Sequence, residues 1–425
     1  MRRKLSLLNG TTNAADCAVA LAYLVTGFRL ANGGAIARYE EEFARQIGVG
    51  HGISLATGRL GLYGLLVTLG VQPGEEVLLQ APTHIVVSNA IRHAGATPVF
   101  VDCTRGTWNI DLEDAERRVG PRTRVLVVQH TFGAPADLDA VRDFAERHEL
   151  VLVEDCVHSL GATWRGKPLG SIGRAAFFST EETKIISTTM GGMVVTDDPA
   201  LAARMREFQS RCDPPPASLV ARYLLKLIAY HLLTQPHVHR FARAMYEAAG
   251  QRQPLPKPTE PTELFGGVRA RYRQRLGNAQ AAIGLRQLAR LDENVAHRRR
   301  IAAHYREALA RRGFETPDWP SEAEPAPVRY PVPVADRDAA ERAVAPHAVL
   351  GTWFTSVLEE ARSPADGGYR KGSCPQAEWA ADHLVNLPTH PRVRLDDAER
   401  LVAALPQPGM SHAVAAGPAV ATAGE

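Results

Sequence analysis

Lys184 has the greatest potential for covalent chemistry in the sequence. It follows the strand-like run AAFFST (residues 175–180) and precedes a turn of small residues, STTMGG. A lysine at a strand end that is partly removed from water has a lowered pKa, so its amine can form a Schiff base with a carbonyl. A lone lysine is more often a solvated surface ammonium, so the functional interpretation depends on the residues around it.

Asp155 ends another apolar run, LVLVED, and His158 follows three residues later. A carboxylate at a strand end faces the ligand crevice of an α/β sheet, where it could keep the pyridine nitrogen of pyridoxal phosphate (PLP) protonated. An aspartate after a strand equally often caps the next turn. His158 lies within reach of the same crevice, although a histidine in such a place is often only a structural hydrogen-bonding group.

Residues in three other parts of the chain suit a bound phosphate or a flat ring. Thr57, Gly58 and Arg59 open an apolar helical stretch, and the free backbone N–H groups of a helix start bind phosphate. A plain helix N-terminus is the simpler interpretation of these residues. Ser179 adds a hydroxyl donor at a strand end, and His84 offers a flat ring that could stack on a cofactor.

Apolar runs alternate with amphipathic stretches between residues 76 and 198, and this alternation predicts the elements that position these side chains. Uninterrupted β-branched and leucine runs indicate strands buried on both faces. Strand–helix alternation predicts an α/β fold with a doubly wound, largely parallel sheet, whose ligands bind beyond the carboxyl ends of the strands. The predicted strands are residues 76–82, 97–103, 124–130, 150–156, 175–180 and 192–198.

The pattern changes after Asp198. The sequence predicts a helical insertion at about 214–250 that Pro236 breaks once, and then a proline-rich linker at 251–263. Residues 278–313 predict one long amphipathic helix or two. The segments that follow predict a smaller α+β domain, and we expect the Ala- and Gly-rich tail from Pro406 to be disordered.

Composition excludes several classes of protein. The 425 residues carry 49 Lys and Arg against 46 Asp and Glu, a net charge of +3 that is too balanced for a dedicated nucleic-acid binder. The five cysteines are scattered without CxxC spacing, which argues against zinc sites and disulfide frameworks. We find no signal peptide and no spanning helix, so we expect a reducing, cytoplasmic setting.

Several ordered blocks resemble the DegT/DnrJ/EryC1/StrS group of PLP-dependent sugar aminotransferases, which have the aspartate aminotransferase-like fold (fold type I). The resemblance runs from about Gly27 to Leu405. Each block alone is weak, but the ordered set with lysine and aspartate in register is specific. The main blocks are GFRLANGGAIARYEEEFARQIGV, VEDCVHSLGATWRGKPLGSIGRAAFFS, TKIISTTMGGMVVTDD, RLGNAQAAIGLRQL and NLPTHP.

The resemblance implies a role for each candidate residue. Lys184 would form the Schiff base with PLP and shuttle the proton, and Asp155 would hold the pyridine nitrogen. His158 would hydrogen-bond the phenolic oxygen of the ring, and His84 would stack on the ring where relatives usually have an aromatic residue. The phosphate would be held by Gly58, Arg59 and Ser179, with Arg273 in the segment that reaches the partner subunit's phosphate in relatives.

The resemblance also implies the architecture and the reaction. It implies a large PLP-binding domain (1–263) with a mostly parallel seven-stranded sheet, a small C-terminal domain (264–405) and a tail (406–425). The active sites would lie at the interface of a homodimer. The amino group of glutamate or glutamine would pass to a keto group of a nucleotide-linked sugar or cyclitol, in secondary-metabolite or cell-surface glycan biosynthesis.

Some positions depart from the family pattern. Arg59 stands where relatives commonly have threonine, and Thr189-Met190 replaces a frequent Gly-Glu pair. Arg273 aligns with a common asparagine, which is consistent either with extra anion binding or with helix-surface charge. These changes leave the main cofactor residues in place. They bear instead on which substrate the enzyme accepts.

Two other functions stay open at this point. A non-transaminating PLP enzyme is one, although the sugar dehydratases of the family carry histidine in place of Lys184. A non-catalytic regulator on the same fold is the other, and the retention of Lys184, Asp155 and Ser179 argues against it.

The segment 218–246 carries four basic residues beside a leucine-rich face. Such a segment could rest on a membrane surface. A helical lid or a dimer-packing element is the favoured interpretation, because a long apolar helix face is usually buried.

Overall fold

A seven-stranded sheet forms the centre of the computed structural model, which describes residues 3–8, 10–248, 273–351 and 353–408. The described strands, in chain order, are β1 (His51–Leu55), β2 (Glu76–Gln80), β3 (Thr83–His84), β4 (Thr97–Val101), β5 (Thr123–Gln129), β6 (Val151–Asp155), β7 (Thr163–Trp164), β8 (Lys167–Pro168), β9 (Ala175–Ser179), β10 (Gly192–Thr196), β11 (Ala323–Glu324), β12 (Arg329–Pro333), β13 (Leu358–Glu359) and β14 (Leu384–Pro388).

The large sheet has the spatial order β1-β10-β9-β6-β5-β2-β4. The contiguous strands from β9 to β4 are parallel, whereas β10 and β1 are antiparallel to their neighbours. All six predicted strands are present, and the mostly parallel α/β fold is confirmed. Strand β1 was not predicted, and it completes the sheet at its antiparallel edge.

Fourteen α-helices are described, and two short 3₁₀ helices occur at Thr131–Gly133 and Pro364–Gly367. The α-helices are α1 (Ala14–Thr26), α2 (Ala35–Ile47), α3 (Gly58–Leu69), α4 (Ile85–His93), α5 (Leu112–Arg118), α6 (Leu138–Arg147), α7 (Pro199–Ser210), α8 (Ala217–Leu233), α9 (His239–Ala248), α10 (Asn278–Leu288), α11 (Leu291–Arg311), α12 (Arg337–Val344), α13 (Pro375–His383) and α14 (Leu395–Ala404). The open alternative at 278–313 is thus resolved as two helices.

The apolar runs of the central strands are buried on both faces, as the sequence predicts for a sheet between helical layers. In β5, for example, Leu126, Val127 and Val128 are all fully buried. Helices α3, α6 and α7 pack against the sheet. The largest hydrophobic core lies between these layers and holds the strands in register.

A second hydrophobic core lies in the C-terminal part of the chain. Strands β12 and β14 form an antiparallel pair, and helices α11 and α14 pack beside them around Tyr305, Tyr330 and Leu401. Leu5, from the opposite end of the chain, is buried in the same core and forms a bridge with Ala348. The domain limits 1–263 and 264–405 stay a prediction.

The insertion at 214–250 contains the two helices α8 and α9, with Pro236 between them. Helix α8 packs its buried face, including Val220 and Leu224, against α1 and α10. Leu225, Leu232 and Leu233 remain exposed on the same helix. The proline-rich linker 251–263 and the tail beyond residue 408 lie outside the described residues.

Within the described part of the chain, no helix is both long and apolar enough to cross a bilayer. All five cysteines are present as free thiols, and four of them are buried. This agrees with the absence of a disulfide framework predicted from their spacing.

Candidate active site

A cavity of about 360 Å³ opens at the carboxyl ends of the parallel strands. This is the edge at which open α/β sheets bind ligands, and the volume falls within the range of small-molecule sites. Side chains that follow or end β2, β5, β6 and β9 line it: His84, Gln129, Asp155 and Ser179. Because these residues lie at the carboxyl ends of parallel strands, side chains nearly one hundred positions apart in the chain meet in one cavity.

Lys184 lines the same cavity, in the turn between β9 and β10. Its Nζ lies 4.0 Å from the centroid of the Trp353 ring. Burial lowers the pKa of Lys184 to about 8, and the positive charge of Arg329 adds to this shift, while Glu181 and Asp155 oppose it. A large fraction of the amine is therefore neutral near pH 8, as a nucleophile or proton acceptor requires.

Asp155 ends β6 and is almost completely buried, with 1% of its surface exposed. Its Oδ1 accepts a hydrogen bond of 3.1 Å from the backbone N–H of Val157, so it also caps the turn after the strand. Burial raises the pKa of Asp155 to about 7, even though Val157 and Lys184 oppose the shift. The ionised form of this buried carboxylate would be stabilised further by a cation bound in the cavity.

His158 is also buried, and its ring stacks on Trp353 with a centroid separation of 4.1 Å and an interplanar angle of 19°. Burial lowers the pKa of His158 well below its usual value, and the charges of Lys184 and Arg329 add to the effect. The imidazole is therefore neutral at physiological pH. Its Nδ1 has no hydrogen-bond partner among the described residues, so one polar atom is unsatisfied.

The N-terminus of helix α3 forms another wall of the cavity. Thr57 caps the helix by accepting a hydrogen bond from the N–H of Leu60 at 3.2 Å, and Gly58 and Arg59 follow as the first helical residues. The first N–H groups of a helix have no partner within the helix and attract anions. The start of this helix packs so closely on Gly192 that a larger residue would not fit there, because a Cβ on Gly192 would lie 2.3 Å from the backbone carbon of Thr57.

His84 lines the cavity from the segment after β2, and two contacts orient its ring. Its Nδ1 accepts a hydrogen bond of 3.3 Å from the N–H of Val86, and its Nε2 lies 3.6 Å from a carboxylate oxygen of Glu360. These contacts assign the ring proton to Nε2. The predicted stacking role requires a ring with a fixed orientation at the cavity wall, and the half-buried ring of His84 has one.

Arg273 is the one predicted site residue that does not line the cavity. It is exposed, and its backbone carbonyl accepts a hydrogen bond of 2.6 Å from the N–H of Asp213. Its predicted contact is with the phosphate of a partner subunit, and this stays a prediction.

The loop that carries Lys184 is held by three carboxamide side chains. Gln280 donates to the carbonyl of Thr188 at 3.1 Å, and Asn294 donates to the carbonyl of Ile185 at 2.6 Å. Gln287 both accepts from the N–H and donates to the carbonyl of Ser187, at 2.7 and 2.9 Å. The sequence analysis missed these contacts. Gln280 and Gln287 are seven residues apart and share one face of α10, whereas Asn294 belongs to α11.

The C-terminal part of the chain supplies cavity residues that the sequence analysis also missed. They are Arg329, Trp353, Phe354, Thr355, Glu359 and Glu360. Arg329 had a visible signal, because it is a charged residue at the start of the otherwise apolar run YPVPV. The others lie in a segment without strong periodicity, and nothing in that segment links them to residues 155–184.

Comparison with known proteins gives one family. The sequence model of the DegT/DnrJ/EryC1/StrS aminotransferase family matches residues 13–230 and 234–406. The chain is 34% identical to the GDP-perosamine synthase of Caulobacter vibrioides over 278 residues, which are 65% of this chain and 62% of that protein. The chain therefore spans less than two thirds of that relative's length.

Two solved structures share the fold. S. venezuelae DesV, in complex with a ketimine intermediate, has a TM-score of 0.72 at 29% identity, and the match covers 92% of this chain and 93% of that one. DesI, in the presence of its TDP-sugar product, has a TM-score of 0.72 at 26% identity, and the match covers 95% and 92% of the two chains.

Proposed function

The chain belongs to the DegT/DnrJ/EryC1/StrS family of PLP-dependent aminotransferases, and we propose the following reaction for it. An amino group passes from glutamate or glutamine to PLP, and then to a keto group of a nucleotide-linked sugar or a cyclitol. The observation that carries the proposal is the convergence of Lys184, Asp155, Ser179 and the N-terminus of α3 on one cavity. Two relatives, the GDP-perosamine synthase of Caulobacter vibrioides and DesI with its TDP-sugar product, support a nucleotide-linked sugar.

The residues of the cavity fit PLP in their chemistry. Burial raises the pKa of the Asp155 carboxylate to about 7, and the positive charge of a protonated pyridine nitrogen would stabilise its ionised form. His158 has an unpartnered ring nitrogen that suits an oxygen on a flat ring. The amide groups of Gly58 and Arg59 with the Ser179 hydroxyl suit a phosphate.

The bound cofactor would supply an electron sink that stabilises negative charge on the carbon next to the amino group. Lys184 then accepts and returns the proton of that carbon, and its pKa of about 8 suits both directions near neutral pH. Asp155 would hold the pyridine nitrogen in its protonated form, and His84 would contact the ring from the cavity wall. The buried walls made by His158 and Trp353 exclude water from the reacting carbon.

A half-reaction screen tests the proposed function. Purified holoenzyme is mixed with L-glutamate, L-glutamine and a panel of other amino acids, and the loss of the visible cofactor band is followed. The aminated enzyme is then offered GDP- and TDP-linked keto-sugars and keto-cyclitols, and the amine product is identified by mass spectrometry. We expect glutamate or glutamine to load the enzyme and a nucleotide-linked keto-sugar to discharge it.

Other results of the screen would point to other functions. Loading without discharge by any keto compound, together with loss of water from a sugar, would indicate a non-transaminating enzyme. A chain that binds no PLP and shows no visible band would be a non-catalytic homologue, and the proposed function would be wrong.

Replacement of Arg59 tests which anion its side chain serves. Arg59 lines the cavity as the second residue of α3. A charge-assisted hydrogen bond contributes about 1.5–3 kcal/mol, or about ten- to a hundredfold in affinity. If Arg59 binds the cofactor phosphate, Arg59→Thr raises the Kd of PLP by that factor. If it binds an acidic substrate group, PLP binding holds and the KM of that substrate rises instead.

Arg311→Thr provides the matched control, because Arg311 is an exposed residue at the end of α11 and does not line the cavity. Equilibrium dialysis of PLP and steady-state kinetics should show no change for this variant. Unchanged values for Arg59→Thr as well would mean that Arg59 serves neither anion.

We also propose that the enzyme is a homodimer with active sites at the interface. Arg273 is exposed and lies off the cavity of its own chain, as expected for a residue that serves a second copy. Leu21, Val25 and Phe28 leave apolar surface uncovered on and after α1. We expect specific activity to fall on dilution in step with dimer dissociation measured by sedimentation velocity. A monomer with full activity would contradict this prediction.

A further inference from the structure

Helix α8 of the insertion at 214–250 contacts the turn that carries Lys184. This turn, the lysine turn (180–191), joins β9 to β10. One face of α8 is buried against α1 and α10. Tyr223 and Lys226 of the helix contact the lysine turn on either side of Lys184. The insertion can therefore act on the position of the amine, although no residue of α8 lines the cavity.

The first contact is an ion pair between Lys226 and Glu182, which lies two residues before Lys184. Nζ of Lys226 donates to Oε1 of Glu182 at 3.0 Å and lies 2.8 Å from its Oε2. The side chain of Glu182 is 5% exposed, whereas that of Lys226 is 33% exposed. Burial and the charge of Glu181 raise the pKa of Glu182, and Lys226 opposes this shift. Lys226 is thus the cation that offsets the cost of a buried carboxylate.

The second contact holds Thr189, five residues after Lys184. The φ angle of Thr189 is 69°, in the left-handed region that is unfavourable for a β-branched residue. A glycine would adopt this conformation without strain, so a threonine needs a compensating contact. The hydroxyl of Thr189 supplies one, because it donates to the carbonyl of Tyr223 at 3.2 Å.

The two sides of the lysine turn have different supports. The carboxamide contacts from α10 and α11 all fall on residues 185–190, after Lys184. Lys226 holds the segment before Lys184 instead. The N–H of Lys184 itself donates to the carbonyl of Glu181 at 3.0 Å. A shift of the residues before Lys184 would therefore move the backbone that carries the amine.

We propose that Lys226 is a positioning residue that, through Glu182, holds the lysine turn so that the amine of Lys184 meets the reacting carbon. A misplacement of about 1 Å at a reacting group costs about a hundredfold in rate. The inference gives the insertion a role in the reaction at a distance from the substrate. Its kinetic consequence rests on the proposed function, whereas the order of the lysine turn does not depend on which reaction is catalysed.

Replacement of Lys226 tests the proposal kinetically. Lys226→Met keeps an unbranched side chain but leaves Glu182 without its cation. With the substrates found in the half-reaction screen, we expect kcat to fall about ten- to a hundredfold. The KM of the donor should change less than threefold, because the lining of the cavity stays the same. Lys226→Arg keeps the charge and can donate to a carboxylate, so its kcat should lie within threefold of the wild type.

A double-mutant cycle shows whether the two residues act as one unit. Glu182 also lines the cavity, so the loss in Glu182→Gln can include a direct effect on the substrate. In a chain that already carries Glu182→Gln, we expect Lys226→Met to lower kcat by less than a further threefold. A full loss in that background would show that Lys226 acts independently of Glu182, and the inference would be wrong.

Hydrogen exchange measures the order of the lysine turn without turnover. Purified holoenzyme is exchanged in heavy water, and the peptides that cover residues 180–191 are followed by mass spectrometry. We expect these peptides to exchange at least tenfold faster in Lys226→Met than in the wild type, because the turn opens locally. Peptides from β5, in the central sheet, should be unchanged. Lys226→Arg should exchange as the wild type does.

Arg222→Met is the matched control. Arg222 is an exposed basic residue one turn earlier on α8, and it does not line the cavity. Its replacement removes the same charge from the same helix, so kcat, KM and exchange should equal those of the wild type. If Lys226→Met does not fold, Lys226→Gln takes its place. Its side chain can donate only a neutral hydrogen bond, so its loss should lie between those of the arginine and methionine variants.

The possible outcomes separate this inference from the proposed function. If the wild type is aminated but Lys226→Met keeps its kcat or the exchange rates of the lysine turn, the inference is wrong and the function stands. Faster exchange throughout the chain with a lower thermal midpoint would show a general structural role and would also overturn the inference. If no donor aminates the wild type while exchange of the lysine turn depends on Lys226, the proposed function is wrong and the positioning of the turn stands.

Discussion

Lys184→Ala should lower turnover by more than about 10⁴-fold. General acid–base catalysis alone contributes about 10²–10⁴-fold, and this variant also loses the nucleophilic amine. The effect should be specific to the amine rather than to the fold. Lys184 is partly buried and desolvation depresses its pKa to about 8, so removal of the amine relieves this desolvation and should not lower the thermal midpoint.

Two further variants test two points. The first is whether the reaction needs the neutral amine of Lys184 rather than its positive charge, and the second is whether the loss is specific to this lysine. Lys184→Arg keeps a positive charge but cannot act as a neutral nucleophile at physiological pH, so it should be as inactive as the alanine variant. Lys167→Ala removes an exposed lysine in β8 and should keep normal turnover. Substantial activity in Lys184→Arg would show that only a charge is needed there, and the assigned role would be wrong.

Asp155→Asn should lower the rate of the amination half-reaction by about 10²–10⁴-fold. Removing one partner of a buried ion pair costs about 3–5 kcal/mol, which corresponds to this range when the loss falls on the transition state. The amide cannot keep the pyridine nitrogen protonated, so the electron sink is weakened. Stopped-flow measurement of the cofactor band gives the rate, and the same band shows whether PLP is still bound.

The asparagine variant also distinguishes the two interpretations of Asp155. The amide oxygen of asparagine can still accept the 3.1 Å hydrogen bond from Val157, so the cap of the turn is preserved. If Asp155 were only a cap, Asp155→Asn would keep near-normal rates. A large loss with unchanged stability would therefore assign the carboxylate to the reaction.

The parallel strands and the residues that follow them could be predicted from local sequence. Apolar β-branched runs are strong signals, and the strand-end rule placed His84, Asp155 and Ser179 at one edge of the sheet. Strand β1 was missed, because its sequence HGISL is short and mixed in polarity. Its partner is β10, about 140 residues later, and a pairing of that kind leaves no local pattern.

The far wall of the cavity could not be predicted in the same way. Arg329 and Trp353 contact the site only because the C-terminal core places β12 and the segment before β13 against the large sheet edge. Such a placement depends on packing between distant parts of the chain, not on periodicity within one element. The same holds for Arg273, whose predicted role requires a second copy of the chain.

Reductive trapping of the cofactor tests the central claim most directly. Holoenzyme is treated with borohydride and digested, and the pyridoxyl-bearing peptide is sequenced by mass spectrometry. We expect one labelled residue, Lys184, and no labelled peptide from Lys184→Ala. A label on Lys167 or Lys226 instead, or on no residue, would contradict the assignment of this cavity as the PLP site.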